Sequence, residues 1–317
     1  MKKSRRLVML IRVEGNSLEV TGAMETELIC YERLKMRKKK KWFVLGLAFL
    51  CIVLCYKSQV VSFYDKEFER AVRELMLSDC VSILIRREEP IRGPILRNNV
   101  KDVEDIFIDL NEYRITDMRD MKKFVGLKEL DIGYIPADIE TENPPNSDMP
   151  KNIDSICRLK SLERIVFFRI NIDSGFNREQ LATKELFIRN CVVNDNNFIK
   201  KFPEISLLVI DETEISSLEF LGEIPELHTL SLYNNIYTCS LEQLKLAHKL
   251  EILRLTSNKK EPFEKIPVLT TVKELYFRGE GSPRKAEAKK YLEWDSLEKL
   301  YLKDEQYDVA TNTWSSY

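Results

Sequence analysis

The side chains with chemistry to offer in this sequence are aromatic and cationic. Phe107, Phe168, Phe187, Tyr233, Tyr276 and Tyr301 recur along the chain, with Arg254 and Arg278 among them. Rings beside guanidinium groups recognise other molecules through stacking, cation–π attraction and buried area, and they make or break no bonds. Residues suited to bond chemistry are sparse. The two histidines, His228 and His248, have no third ligand or nucleophile placed beside them by any pattern, and an isolated histidine more often meets a local hydrogen-bonding need. The seven cysteines (Cys30, Cys51, Cys55, Cys80, Cys157, Cys191 and Cys239) are odd in number and contain no CxxC pair. Buried thiols are therefore the plain reading, ahead of zinc ligands or a disulfide framework. No GxSxG, P-loop, HExxH or GxGxxG occurs, and no carboxylate pair stands out among the 51 acidic residues. The expectation is a non-enzyme with no cofactor and no metal.

Bulk composition narrows the partner. The 317 residues carry a formal net charge of -1, so the whole molecule has no basic field to draw it to nucleic acid. With 44% hydrophobic and 32% charged residues, and only 10 Gly and 11 Pro, the chain reads as folded protein without a long flexible tract.

A repeat positions the aromatic and cationic residues. The pattern L-x-x-L-x-L, with any aliphatic residue or Phe at the key places, fits LHTLSL from Leu227, LEILRL from Leu250 and LEKLYL from Leu297. It also fits LKELDI from Leu127, VKELYF from Val272 and LERIVF from Leu162, with weaker copies starting at Val103, Thr183 and Ile205. The gaps between starts are 24, 35, 21, 22, 22, 23, 22 and 25 residues, and nine copies at nearly one period are not chance. The last two apolar positions alternate, as a short strand with one buried face requires. One such strand cannot bury its face alone, whereas stacked neighbours share a continuous core. Between strands, Ile215, Leu218, Leu221, Ile224 and Leu227 are spaced by three, as are Ile115, Met118, Met121, Phe124 and Leu127. That spacing suits short 3₁₀ turns on the opposite side. Three residues past the last apolar position stand Asn111, Cys191, Thr213, Asn235 and Asn258, placed to form a ladder of side chains that satisfies the turn backbone.

This pattern resembles the bacterial leucine-rich-repeat proteins with short repeats, the internalin-like group, over about residues 63–302. The resemblance implies an α/β solenoid, a horseshoe with parallel strands on its concave face and short helical or 3₁₀ turns on its convex face. It also implies that FYDKEFERAVRELM, Phe63 to Met76, is a helical N-cap, with Phe68, Val72, Leu75 and Met76 covering the open end of the core. The pattern is broken by the 35-residue gap, where Ala137 to Asn152 reads as an inserted loop around Pro144-Pro145. It is broken again by the tail from Asp304 to Tyr317, which carries no LPxTG-like sorting signal.

Ahead of the repeats, Arg37 to Lys41 is basic and Trp42 to Tyr56 is an uncharged apolar run that can lengthen towards Ser62. Two readings stand. As an uncleaved anchor it makes a single-pass membrane protein with residues 1–41 cytoplasmic and the repeats outside. As a signal peptide cleaved near Ser62 it makes a secreted protein, with residues before Met36 a mis-called start. The expected domains are therefore 1–41, 42–62 for the membrane segment, 63–102 for the N-cap, 103–303 for the repeats and 304–317 for the tail.

The strand register predicts a binding face. The residue between the last two apolar positions points away from the core: Phe107, Asp131, Val166, Phe187, Val209, Ser231, Arg254, Tyr276 and Tyr301. Two residues further on come Asp109, Gly133, Phe168, Arg189, Asp211, Tyr233, Thr256, Arg278 and Lys303. Early repeats add the acids Asp105 and Glu129, and late ones carry Arg254, Arg278 and Lys303, a polarity able to orient a partner. The expected partner-binding residues are Phe107, Phe168, Phe187, Tyr233, Arg254, Tyr276, Arg278 and Tyr301, for a protein, peptide or glycan ligand. The alternatives are a structural or assembly component of the cell envelope, with the solenoid as spacer, and a secreted or intracellular adaptor.

Overall fold

The computed structural model describes residues 13–14, 17–18, 42–78, 93–135, 149–172, 181–193, 196–257, 263, 265–303 and 305–316. The chain divides into two units, Met1–Gln59 and Val60–Tyr317. The first holds a two-residue strand pair, Val13–Glu14 with Ser17–Leu18, and an apolar helix, α1, Trp42–Gln59. None of the 18 residues of α1 is buried. At about 1.5 Å per residue it spans roughly 27 Å, close to the hydrocarbon thickness of a bilayer. Val60 and Val61, which the sequence reading grouped with the apolar segment, instead form a strand, β1, paired antiparallel with β2, Ile95–Leu96.

The second unit is built on one sheet of eleven strands. Nine follow the repeat: β3 Asp105–Asp109, β4 Glu129–Gly133, β5 Arg164–Phe168, β6 Glu185–Arg189, β7 Leu207–Asp211, β8 Thr229–Tyr233, β9 Ile252–Thr256, β10 Glu274–Arg278 and β11 Lys299–Leu302. All nine are parallel and in one register, with Ile106, Leu130, Ile165, Leu186, Leu208, Leu230, Leu253, Leu275 and Leu300 side by side. That row and the row two residues on, Ile108 to Leu302, are buried. They make one core shared between neighbours, as the alternating pattern requires. On the opposite side run 3₁₀ helices, among them Arg119–Lys123, Glu219–Glu223 and Leu241–Leu246. The residues spaced by three, Ile215 to Leu227 and Ile115 to Leu127, are buried beneath the turns they build. This is a leucine-rich-repeat solenoid. Most of the inserted loop, residues 136–148, lies outside the described residues.

The turn after each strand repeats as faithfully as the core. Arg169, Asn190, Glu212, Asn234 and Lys303 each follow a strand with φ between 48° and 53°, and Gly279 takes the same place at 88°. This left-handed residue is comfortable only for Gly and Asn. It aims its amide at a stacked neighbour: Asn190 donates to the Asp211 carbonyl of the next strand at 2.7 Å and Asn234 to that of Thr256 at 2.8 Å, whereas Lys303, on the last repeat strand, donates back to Phe277 at 3.0 Å. The side-chain ladder follows immediately. The Asn235 side chain accepts from the Thr213 amide (2.9 Å) and donates to the Ile210 carbonyl (2.8 Å). The Thr213 hydroxyl in turn accepts from the Cys191 amide at 3.3 Å. Asn111 departs from the expectation: it is exposed and its amide group reaches the Ile135 carbonyl at the surface. Asn258 lies outside the described residues.

Both ends of the sheet are closed. At the start, α2, Lys66–Ser78, buries Phe68, Ala71 and Val72, and Phe68 packs with Phe63 and Phe124 at ring separations of 5.8 and 5.9 Å. Of the expected stripe, the side chains of Leu75 and Met76 lie outside the described residues. Asp65 fastens α2 to the first repeat. One of its oxygens accepts from the Glu67 and Phe68 amides, at 2.9 and 3.0 Å, as a helix cap. The other accepts from the Thr116 amide and hydroxyl and the Asp117 amide, at 2.8, 2.9 and 3.1 Å. At the far end the segment read as a plain tail is a hairpin. Strands β12, Glu305–Asp308, and β13, Thr313–Ser316, continue the sheet, β12 antiparallel to β11 and β13 antiparallel to β12. The hairpin occupies the edge β11 would otherwise expose. Tyr307 and Trp314, whose ring centroids lie 5.0 Å apart, pack on the core.

Candidate functional site: the concave face

The concave face carries three columns of side chains, because residues at positions one, three and five of every strand point the same way. In-register pairing aligns them from Asp105 to Lys299, from Phe107 to Tyr301 and from Asp109 to Arg278. The aromatic and cationic residues gather into three groups along these columns.

The first group is Phe107 and Phe168. Their rings stack at 5.8 Å and 12° although strand β4 lies between their own strands. Gly133 permits this: a Cβ there would stand 1.8 Å from the Phe168 carbonyl oxygen and 2.7 Å from the Phe168 ring. Phe107 is 43% exposed, a large fraction for a phenylalanine.

The second group centres on Phe187, whose ring receives the Arg164 guanidinium at 5.1 Å and that of Arg189 at 5.5 Å. Arg164 also bonds Glu129 at 2.6 Å and stands 4.0 Å from one Asp131 oxygen. The other Asp131 oxygen is buried and has no hydrogen-bond partner among the described residues. Burial pushes the Asp131 carboxyl above its ordinary value, against the pull of Arg164. Asp211 is pushed up in the same way, by burial and by the neighbouring Glu212, with Arg189 opposing.

The third group is a face-to-face pair, Tyr276 and Tyr301, at 3.9 Å and 3°, with the Arg254 guanidinium 5.1 Å from the Tyr276 ring. The Tyr276 hydroxyl donates to Glu274 at 2.6 Å. Burial and this carboxylate hold the phenol well above its ordinary pKa, so it stays protonated.

Of the residues picked out from the sequence, Phe107 and Arg278 are exposed, and Phe168, Phe187, Tyr233, Arg254 and Tyr276 are half-buried. Tyr301 is a correction: it is only 6% exposed. It lies under the Tyr276 ring and opposite Gln306 of the hairpin, so it supports the surface without forming it. Val166, Val209 and Ser231 also point to this side and are buried, yet they stand apart from the main core. Neighbours one strand away, about 4.8 Å off, cover small side chains. The expected charge polarity is weakened too, since Arg164 neutralises Glu129 among the early acids and Lys299 lies 3.8 Å from Glu274 among the late bases. Sequence reasoning left out Arg164 and Arg189 as site residues. Strand position one, which holds Arg164, faces the same side as positions three and five, and that was the available signal.

The features that suggested bond chemistry do not assemble into a site. His228 and His248 are both exposed, and the Nδ1 of His228 lies 2.6 Å from the Glu226 carbonyl oxygen. Burial pushes the Cys191 thiol up to about 11, which keeps it protonated and a poor nucleophile. Among the described residues no cluster of His, Cys, Asp and Glu could hold a metal ion.

No protein-family model matches the sequence, and no curated protein matches it. Among solved structures the chain is similar to internalin C2 of Listeria monocytogenes, at 13% identity and a TM-score of 0.44, covering 75% of this chain and 93% of that one. It is similar to the internalin inlF of the same organism, at 9% identity and a TM-score of 0.34, covering 76% and 89%. It is also similar to a leucine-rich-repeat protein of Leptospira interrogans, at 14% identity and a TM-score of 0.38, covering 66% and 56%.

Proposed function

We propose that this chain is a non-catalytic recognition protein. Helix Trp42–Gln59 holds it to a membrane, and the concave face of its solenoid binds a protein or peptide. The carrying observation is the Phe107–Phe168 stack, with Phe107 43% exposed. The pair contributes to stability, yet it leaves much of the Phe107 ring in water, where a partner's apolar side chain can cover it. Phe187 between two guanidinium groups extends that patch, and Arg189, Arg278 and Lys303 give it exposed positive charge. The partner that fits presents apolar side chains with carboxylates among them. The basic run before Trp42 supports an orientation with residues 1–41 in the cytoplasm and the solenoid outside.

The test places a photo-crosslinking amino acid at Phe107, at Phe187 and, as a convex control, at the exposed Lys122 of the 3₁₀ helix Arg119–Lys123, in intact cells carrying the full chain. One discrete adduct from both concave positions, absent from the control and lost on Arg189→Ala, is the expected result. Adducts from the control alone, or no dependence on Arg189, would refute concave-face binding. Protease added to the same cells should remove a C-terminal tag. A protected tag would place the solenoid inside and refute the orientation.

A further inference from the structure

A cavity of about 380 Å³ opens beside β1, lined by Val60, Val61, Ser62, Arg97, Val100, Lys101, Lys123 and Val125. Four of its eight lining residues are valine, and its charged lining residues are all basic. Lys123 is already occupied: its ammonium is paired with Asp120, donates to the Ser62 carbonyl and lies 4.9 Å from the Phe63 ring centroid. Arg97 and Lys101 are exposed, and among the described residues no carboxylate pairs with either. Val125 is 49% exposed. The cavity is within the range that holds small molecules. Two exposed cations without a carboxylate partner among the described residues, beside valine side chains, match a ligand with one anionic group and an attached apolar part.

The covalent chain says where such a ligand is found. Val60 is bonded to Gln59, the last residue of the apolar helix α1, which carries one charge, Lys57, near this end. One lining residue therefore follows that helix directly in sequence, and where the helix is anchored in a bilayer the anionic amphiphile at hand is lipid. We propose that this cavity seats the headgroup of an anionic phospholipid, its phosphate on Arg97 and Lys101 and its glycerol region against Val60, Val100 and Val125. The inference rests on the membrane-anchor reading and adds to it a built contact that tethers the start of the solenoid to the bilayer surface.

The test reconstitutes the full chain into lipid nanodiscs of phosphatidylcholine alone or with phosphatidylglycerol, and reads amide hydrogen exchange at Val60, Val61, Val100 and Lys101. Each basic side chain at an anionic surface gives roughly a fivefold gain in association. Phosphatidylglycerol is therefore expected to slow exchange at least about fivefold in the wild type, and not in R97Q/K101Q. V125S, a change at a half-exposed site, should weaken the effect while leaving the circular dichroism melt unchanged. Equal rates in the two discs, slowing retained in R97Q/K101Q, or slowing reproduced by free glycerol phosphate on phosphatidylcholine discs would each overturn the lipid site. Co-elution of the chain with the discs is scored separately. A chain that fails to co-elute removes the anchor reading and this site together, whereas a chain that co-elutes without lipid-dependent slowing removes the site alone.

Discussion

Gly133→Ala is the sharpest available test of how the concave face is built. The added methyl would stand 1.8 Å from the Phe168 carbonyl oxygen and 2.7 Å from ring carbon Cδ2. The first obstacle is backbone at the end of the β4–β5 ladder and cannot swing aside as a surface side chain would. That same oxygen accepts from the Tyr134 amide at 3.1 Å. Strands β4 and β5 must separate at this end, the Tyr134 bond breaks, and the Phe168 ring slides off Phe107. Overpacking costs about 1–3 kcal/mol, the aromatic pair about 0.5–1.5 and the hydrogen bond about 0.5–1.5, which together come to roughly 2–6 kcal/mol. Repeat solenoids unfold as coupled units and not always as one, so a single denaturation curve blurs a local loss. The assay is native-state hydrogen exchange. Protection at Tyr134 and through β3–β5 should fall by about thirtyfold or more, at about 1.4 kcal/mol per tenfold, while β9–β11 keep theirs. A loss below about 1 kcal/mol in β3–β5 would show that the strands accommodate the methyl, and the close approach at Gly133 would then not be what joins the two phenylalanines.

Three further perturbations test the frame. Leu253→Ala removes a fully buried side chain from the central row and should cost about 2–5 kcal/mol in urea unfolding; a cost below about 1 would contradict the register. Asn235→Ala strips the buried Thr213 amide and Ile210 carbonyl of their partner, so about 2–4 kcal/mol should be lost, with exchange rising first at Thr213; an unprotected Thr213 amide already present in the wild type would deny the ladder. Asp65→Ala should cost about 2–4 kcal/mol at neutral pH, through the helix cap and the orphaned Thr116 and Asp117 amides. Burial raises the Asp65 pKa, but its hydrogen bonds from Thr116, Phe68 and Glu67 outweigh that and hold it below the ordinary value. Its contribution is therefore full above the ordinary carboxylate pKa and lost as pH falls through the lower folded one, so wild type and variant should converge in acid; a gap that stays constant with pH would exclude the carboxylate as the cause.

Which parts of this molecule were legible follows from how far each feature depends on its neighbours. Leu230 and Leu232 could be read because one strand alone shows the alternation, and the 22-residue period confirms it. Asn190, Asn234 and Gly279 announce the left-handed turn, but Arg169, Glu212 and Lys303 adopt the same φ against their own preference. There the stacked neighbour, whose carbonyl the turn amide must reach, overrides local propensity. The surface was harder still. Whether a concave side chain is exposed depends on the residues beside it one repeat away, and these are about 22 positions distant in sequence. Tyr301 and Phe187 occupy the same column, yet one is covered by a stacked tyrosine and a hairpin while the other is held open between Arg164 and Arg189. Arg164 stands just past the inserted loop, where the period is interrupted and column counting is least secure. The hairpin did carry a signal: Tyr307 and Trp314 lie on either side of a turn at Asn312, and the Tyr307 hydroxyl donates to that asparagine. The tail lacks the leucine pattern, so the repeat alone names no strand there, although a solenoid's last strand needs its edge covered. Anything that ends such a stack must differ from the repeat, because it has only one neighbour to pack against.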